Sequence, residues 1–90
     1  MSRKPITDAE RRHGERLGRI LAERREAARR SAADVARASD VSLDAVRSLE
    51  MGRVPTPAFL TVARLADALG VSLDDLHAQA LSPPAAVESG

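Results

Sequence analysis

Apolar and polar residues along the 90-residue chain follow the spacing of amphipathic helices, and no segment alternates with the period of two that is typical of a strand. The first helix is predicted from about Asp8 to about Arg29, with a capping box in which Thr7 caps and Glu10 reaches back. Its apolar stripe consists of Leu17, Ile20, Leu21, Ala27 and Ala28. Gly14 disfavours the helix by about 1 kcal/mol relative to alanine, which predicts loosely held first turns.

Two short helical patterns follow, separated by too few residues for a loop. Ser31 is placed to cap the first and Ser42 the second, and Gly52 is placed to end the second in a left-handed conformation. Val46 and Leu49 give the second helix one apolar face, away from which point Leu43, Asp44, Arg47, Ser48 and Met51. Helices this short need tertiary packing, so the flanking segments must support them. A short helix displayed with a free polar face is typical of a helix-turn-helix that enters the DNA major groove.

A fourth helix is predicted after two prolines, with Thr56 as its cap and Pro57 at its first position. Its apolar face, assigned to the core, consists of Phe59, Val62, Ala63, Leu65, Ala66 and Leu69. Gly70 is placed to end it.

Ser72 is placed to cap a last short helix over residues 73–80. The pattern therefore predicts an all-α domain of five helices over residues 7–81. A basic arm of residues 1–6 is expected to precede it, and a disordered tail of residues 82–90 to follow it.

Composition excludes several kinds of site. The chain has no cysteine, tyrosine or tryptophan, so disulfides and thiolate metal sites are excluded and a reducing cytoplasm is favoured. It has no glycine-rich phosphate loop, and His13 and His77 lack an accompanying set of ligands or catalytic partners. We expect His13 to be a solvated helix residue and His77 a surface or interface residue. The sequence thus predicts no enzyme, no cofactor and no metal, and it contains neither an apolar signal core nor a membrane-spanning run.

The net charge of +1 conceals an asymmetry. Residues 1–30 hold ten basic and five acidic side chains, whereas residues 31–90 hold four basic and eight acidic ones. The basic part can attract phosphate, or it can be a solvated helix with alternating charges. Charge alone favours the solvated helix.

Short motifs in a fixed order extend over two thirds of the chain. They are Ser31, Val35-Ala36, Val41-Ser42, Val46, Leu49-Glu50-Met51-Gly52, Pro57 and Ala66-Asp67-Ala68-Leu69-Gly70-Val71. In order and spacing they resemble the helix-turn-helix domain of the XRE family, which includes lambdoid phage repressors and Cro. The resemblance implies a five-helix, lambda-repressor-like fold in which residues 31–38 form the supporting helix and residues 42–51 the recognition helix. It also implies a structural ion pair between Arg25 and Glu50.

The resemblance places the base-reading positions on Leu43, Asp44 and Ser48, with Arg47 beside them and Ala32 at a clamping position. By its chemistry Arg47 suits a bidentate contact with guanine, Ser48 suits several bases, and Arg53 suits a phosphate. Arg37 and Arg64 are weaker candidates for phosphate. The expected DNA contacts are Ser31, Ala32, Ser42, Leu43, Asp44, Arg47, Ser48, Met51 and Arg53.

This chain departs from the family at several positions. Asp40 stands where the family usually has glycine in the turn, and Arg30 stands where it usually has leucine, so Arg30 must snorkel or redirect outward. The usual Gln, Arg or Asn base readers are absent, which predicts modest selectivity from one copy. We therefore expect a homodimer on two half-sites, formed through the first helix or through residues 73–81.

The sequence thus predicts a sequence-specific DNA-binding transcriptional regulator, with repression as the expected action, double-stranded DNA as partner and a location in the cytoplasm with the nucleoid. The alternative is a protein-interaction module of the same fold, either antitoxin-type or a polymerase-binding adaptor. Asp34, Asp40 and Asp44, close to the expected DNA face, favour this alternative.

Overall fold

A computed structural model describes residues 5–81 of the chain, and within them it contains helices and no strand. The helices are α1 (Asp8–Ala27), α2 (Ala32–Ser39), α3 (Leu43–Glu50), α4 (Phe59–Leu69) and α5 (Leu73–Leu81). The prediction of a five-helix, all-α fold is confirmed. Most of the predicted basic arm (residues 1–4) and the whole predicted tail (residues 82–90) lie outside the described residues.

Four of the five predicted hydroxyl caps are confirmed. Thr7 and Glu10 form the reciprocal capping box of α1, with N···O distances of 2.9 and 3.0 Å. Ser31 caps α2, Ser42 caps α3 and Ser72 caps α5, each by accepting a hydrogen bond from the amide three residues on. Because the amides of a first turn have no intrahelical partner, these hydroxyls fix where each helix begins.

The end of α1 differs from the prediction. The helix ends at Ala27, its cap is Ala28, and Arg29 has a left-handed backbone with φ of 58°. The left-handed residue turns the chain away from the helix axis, and both Ala27 and Ala28 are exposed. Their assignment to the apolar stripe was therefore wrong, whereas Leu17, Ile20 and Leu21 are buried.

The start of α4 also differs. The helix begins at Phe59, and its cap position is Ala58, which forms no side-chain cap, so the prediction for Thr56 and Pro57 was wrong. Phe59 is 74% exposed and does not belong to the core. The ring lies one turn before Val62, which is itself only half-buried, so the core ends before it reaches Phe59.

All five helices contribute to one aliphatic core. Its buried members are Leu17, Ile20, Leu21, Val35, Ala36, Val46, Leu49, Leu65, Ala66, Leu76 and Ala80. Burial of such side chains, at about 25 cal/mol per Å² of apolar area, is the main force that holds α2 and α3 on the other helices.

Two glycines let α1 approach the α3 region closely. A Cβ on Gly14 would lie 2.6 Å from the carbonyl oxygen of Val54, and a Cβ on Gly18 would collide with the carbonyl oxygen of Leu49. Both glycines are buried in this contact, and the looseness expected of the first turns of α1 stays a prediction. The absence of a side chain is what allows the helix axis to lie so near the backbone of α3 and of the segment that follows it.

Two arginines bind the carbonyl groups at the ends of helices. Arg30 Nη1 donates to Ala68 O, near the end of α4, at 2.6 Å, and Arg16 Nε donates to Ala80 O in α5. The last carbonyls of a helix lack intrahelical partners, so a guanidinium is a favourable cap. This contact shows how the chain accommodates Arg30: the charged end leaves the core and caps α4.

Candidate nucleic-acid interface

The turn between α2 and α3 is held by local hydrogen bonds. Asp40 is left-handed, with φ of 58° and ψ of 41°, as expected of an aspartate in the place of a glycine. The amide of Val41 donates to Ala36 O at 3.1 Å, and the hydroxyl of the buried Ser39 donates to Val35 O at 2.6 Å. These bonds satisfy the carbonyls at the end of α2 and fix the direction in which α3 begins.

Helix α3 is buried on one side only. Val46 and Leu49 are 1% and 3% exposed and belong to the core. On the other side Asp44 and Arg47 are exposed, and Met51 directly follows the helix with 62% of its surface exposed. The eight residues of α3 therefore present a polar surface to solvent on a fixed support.

Three expected contact residues are less accessible than the exposed side of α3. Ser48 is half-buried, and Leu43 and Ala32 are half-buried and pack against the core. The Leu43 side chain is thus divided between the core and solvent, which limits the area with which it can contact a base.

The hydroxyl groups of Ser31 and Ser42 accept hydrogen bonds from Asp34 N at 3.0 Å and Ala45 N at 3.1 Å. Both residues are exposed, and each hydroxyl keeps its own proton to donate. Each serine therefore lies exposed at the start of its helix and has a hydroxyl proton left to donate.

The end of α3 is fixed to α1 by an ion pair. Arg25 Nε lies 2.8 Å from Glu50 Oε2, and Arg25 Nη2 lies 3.0 Å from Glu50 Oε1. The two side chains are only 16% and 13% exposed, and the hydrogen bonds with Glu50 raise the pKa of Arg25. The structure thus places in bidentate contact the two residues that the family resemblance pairs.

The charged residues around α3 divide into paired and unpaired ones. Arg37 is paired with Asp34, to which it donates a hydrogen bond. Arg47 and Arg53 are exposed and make no ion pair within residues 5–81, and Gly52, with φ of 75°, sets the direction of the chain before Arg53. The pairing removes Arg37 from the free cations beside α3.

Sequence reasoning missed a groove on another side of the molecule. Helix α1 contributes Glu10, His13 and Leu17 to it, α5 contributes Leu73, Asp74 and His77, and Phe59 lies at the start of α4; we call it the α1–α5 groove. Its volume is about 560 Å³.

The two histidines meet in this groove. The ring centroids of His13 and His77 are 6.2 Å apart, and His13 is half-buried rather than solvated as expected. The residues are distant in sequence, and the only sequence signal was that each lies on the same helix face as a leucine four residues away.

Comparison with known proteins identifies the fold independently. No curated protein matches the chain. Among residues 5–81 no helix is long and apolar enough to cross a membrane, and no group of three His, Asp or Glu side chains is arranged to hold a metal ion. A family described as a helix-turn-helix domain matches residues 16–79, which include the end of α1, all of α2, α3 and α4, and most of α5. The chain belongs to this helix-turn-helix family, which is related to the XRE-type domains and is a family of DNA-binding domains.

Proposed function

We propose that this protein is a sequence-specific DNA-binding transcriptional regulator that inserts α3 into the major groove. We further propose that it binds as a homodimer on two half-sites, that repression by occupancy of the site is its action, and that it works in the cytoplasm at the nucleoid. DNA binding is the function that best accounts for the arrangement of α2 and α3.

One observation carries the proposal: α3 is fixed by its buried side and by Glu50, while Asp44 and Arg47 are exposed on the opposite side. An α-helix with its side chains is about 10–12 Å across, which matches the major-groove width of about 12 Å, so α3 can lie in the groove. A rigid support is required because base contacts depend on hydrogen-bond geometry.

The exposed side chains suggest how the sequence of a site is read. Arg47 presents a guanidinium that can contact guanine O6 and N7 together, and Asp44 can accept a hydrogen bond from cytosine N4. Ser48 can donate or accept, and the methyl groups of Leu43 can touch thymine. Arg53 binds phosphate in this arrangement and contributes affinity without selectivity.

The remaining expected contacts lie at the helix starts. Ser31, Ala32 and Ser42 occupy the first turns of α2 and α3, where helix amide groups favour a phosphate. Met51 extends the exposed side of α3 with an apolar group. With one arginine as the main base reader, a single copy has modest selectivity, which supports binding by two copies.

The test is a titration of pooled short duplexes at several salt concentrations, followed by selection of preferred sites from random duplexes. A regulator gives an affinity that falls steeply with salt, because bound counterions are released from the phosphates, and a preferred sequence. Arg47→Ala should weaken binding to the selected site by about 1–3 kcal/mol and leave the melting temperature unchanged. Arg47→Lys is the matched control: it keeps the charge and loses the bidentate fork, so selectivity falls while the salt dependence remains.

The second candidate is a protein-interaction module, antitoxin-type or polymerase-binding. The exposed carboxylates of Asp40 and Asp44 beside α3 favour it, since they repel phosphate. No retention of any duplex at low salt would reject the DNA-binding proposal and favour this candidate.

A further inference from the structure

An exposed aromatic ring is among the residues that line the α1–α5 groove. The groove has a volume of about 560 Å³, and Leu17, Leu73 and Leu76 give it an apolar lining. Phe59, the one aromatic residue of the chain, lies at its edge with 74% of its surface exposed. Leu60 is exposed next to it. A protruding ring and a recess of sufficient size thus occupy the same surface.

From this we infer that the α1–α5 groove is the interface with a second copy of this chain, in which Phe59 of each copy enters the groove of the other. A two-fold interface requires a self-complementary surface, with the same patch on both subunits. A ring beside a recess meets that requirement, and one such exchange buries two rings of about 150–250 Å² each. The inference extends the proposed function, on which the expectation of a dimer rests.

Charge complementarity supports the same occupant. Glu10 and Asp74 place two carboxylates on the groove. Arg64 lies one turn after Leu60 on the exposed surface of α4 and, like Asp74, makes no ion pair within residues 5–81. Arg64 is the one basic residue of the helix that begins with Phe59, so it is the cation of α4 available to those carboxylates when two copies meet.

The groove includes both of the segments that the sequence offered for dimerisation. Its walls are α1 and α5, and the connection after α3 reaches it through Pro55 and Pro57. In a dimer joined here, a short segment with two prolines connects the α3 helix of each copy to the interface. The patch is small compared with standard interfaces of about 20–30 residues a side, so we expect weak association without DNA.

The central experiment is sedimentation equilibrium of the full chain without DNA, up to about 100 µM, a range that detects weak dimers. Wild type should dimerise reversibly, and Phe59→Asp should weaken the dimer by at least about 30-fold, as expected for a central aromatic residue. Leu81→Asp is the matched control: Leu81 is 55% exposed at the end of α5 and does not line the groove, so this variant should dimerise like wild type. The melting temperature of each variant shows that it is folded.

A charge exchange tests the arrangement within the dimer. Arg64→Glu and Asp74→Arg should each weaken it, and the double variant should restore it, because the two reversed charges again face each other across the interface. Single reversals without effect would overturn the inference, as would a wild-type chain that stays monomeric or a Phe59→Asp variant that dimerises normally.

A different occupant of the groove can be recognised directly. If truncation after Leu81 changes the NMR signals of Val62 and Leu73 in the monomer, the groove belongs to residues 82–90 of the same chain and the inference fails. DNA binding is measured separately: Phe59→Asp should retain the salt-dependent binding of a single half-site and lose cooperative binding to two. A chain that dimerises through the groove but binds no DNA would instead reject the proposed function and leave the inferred interface standing.

Discussion

The guanidinium of Arg25 forms two parallel hydrogen bonds with the carboxylate of Glu50, at 2.8 and 3.0 Å, and its remaining nitrogen donates to Arg30 O at 2.8 Å. One side chain of α1 thereby joins the last residue of α3 to the segment that precedes α2. The fork geometry fixes direction as well as distance, so the pair holds the orientation of α3 more firmly than a single charge contact could.

Removal of one member of this pair should destabilise the fold. Glu50→Ala leaves the guanidinium of Arg25 mostly desolvated and without its partner, and we expect the free energy of unfolding to fall by about 2–4 kcal/mol. Chemical denaturation measures this loss. Arg37→Ala is the control, because it breaks the exposed pair with Asp34, for which we expect a change below about 1 kcal/mol. Equal losses in the two variants would show that the Arg25–Glu50 pair stabilises the fold no more than the exposed Arg37–Asp34 pair does.

Gly18→Ala should lower the stability of the fold, although helix propensity alone predicts that it raises it. Alanine in place of a helical glycine usually stabilises by about 0.5–1 kcal/mol, but here the added Cβ meets the carbonyl oxygen of Leu49 and lies 3.2 Å from Glu50 O. Both atoms are backbone and cannot rotate away, so we expect a net loss of about 1–3 kcal/mol. The measurement is urea unfolding, with Glu23→Ala on the exposed surface of α1 as the reference. A stabilised Gly18→Ala would mean that α1 and α3 are further apart than described.

The helix starts capped by a hydroxyl could be predicted, whereas the start of α4 and the contacts between helices could not. Thr7, Ser31 and Ser42 cap helices through contacts within four residues, so periodicity and cap chemistry were sufficient to place them. The close approach at Gly18 and the exposure of Phe59 depend on where one helix crosses another, which no local pattern encodes. The pairing of Arg25 with Glu50 came from the resemblance to a family, and the DNA contacts remain predictions.

Truncation of Leu65 should lower the stability of the fold far more than truncation of Phe59, although both residues were assigned to the core from the apolar pattern. Leu65 is 2% exposed, and Leu65→Ala should cost about 2–5 kcal/mol through lost burial and a cavity. Phe59→Ala removes a ring that already contacts mostly water, and we expect a change below about 1 kcal/mol. Thermal melts of dilute samples, in which any dimer has dissociated, compare the two. A large loss for Phe59→Ala under these conditions would place the ring in the monomer core.

Arg53→Ala should lower DNA affinity by a similar factor for every sequence. A phosphate contact carries charge and no base information, so its removal should reduce the slope of log affinity against log salt by about 0.9. Fluorescence anisotropy with a selected duplex and a scrambled one measures both quantities. A variant that loses affinity only for the selected duplex would assign Arg53 to base recognition instead.

The stability of the fold should fall as the pH drops below neutrality. Burial lowers the pKa of His13, and the electrostatic effects of the nearby Arg16 and His77 lower it further; Glu10 and Asp74 are the acidic groups on the same groove. The unfolded chain, with an ordinary imidazole pKa of about 6.5, therefore binds a proton at a higher pH than the folded chain does. The stabilisation is complete above that value and is lost as the pH falls through it towards the lowered pKa.

Asp34, the acidic group of α2, loses its stabilising contribution in a different pH range from His13, so the two contributions can be measured separately. Hydrogen bonding to Ser31 and the nearby Arg37 lower the pKa of Asp34, so its contribution is lost only below a pH of about 4. Urea unfolding at pH 8 and pH 5.5 thus excludes the contribution of Asp34. His13→Gln should lose less stability between these pH values than wild type, because glutamine binds no proton in either state. If both proteins lose the same amount, the acid sensitivity arises elsewhere, and His13 titrates in the folded chain as it does in water.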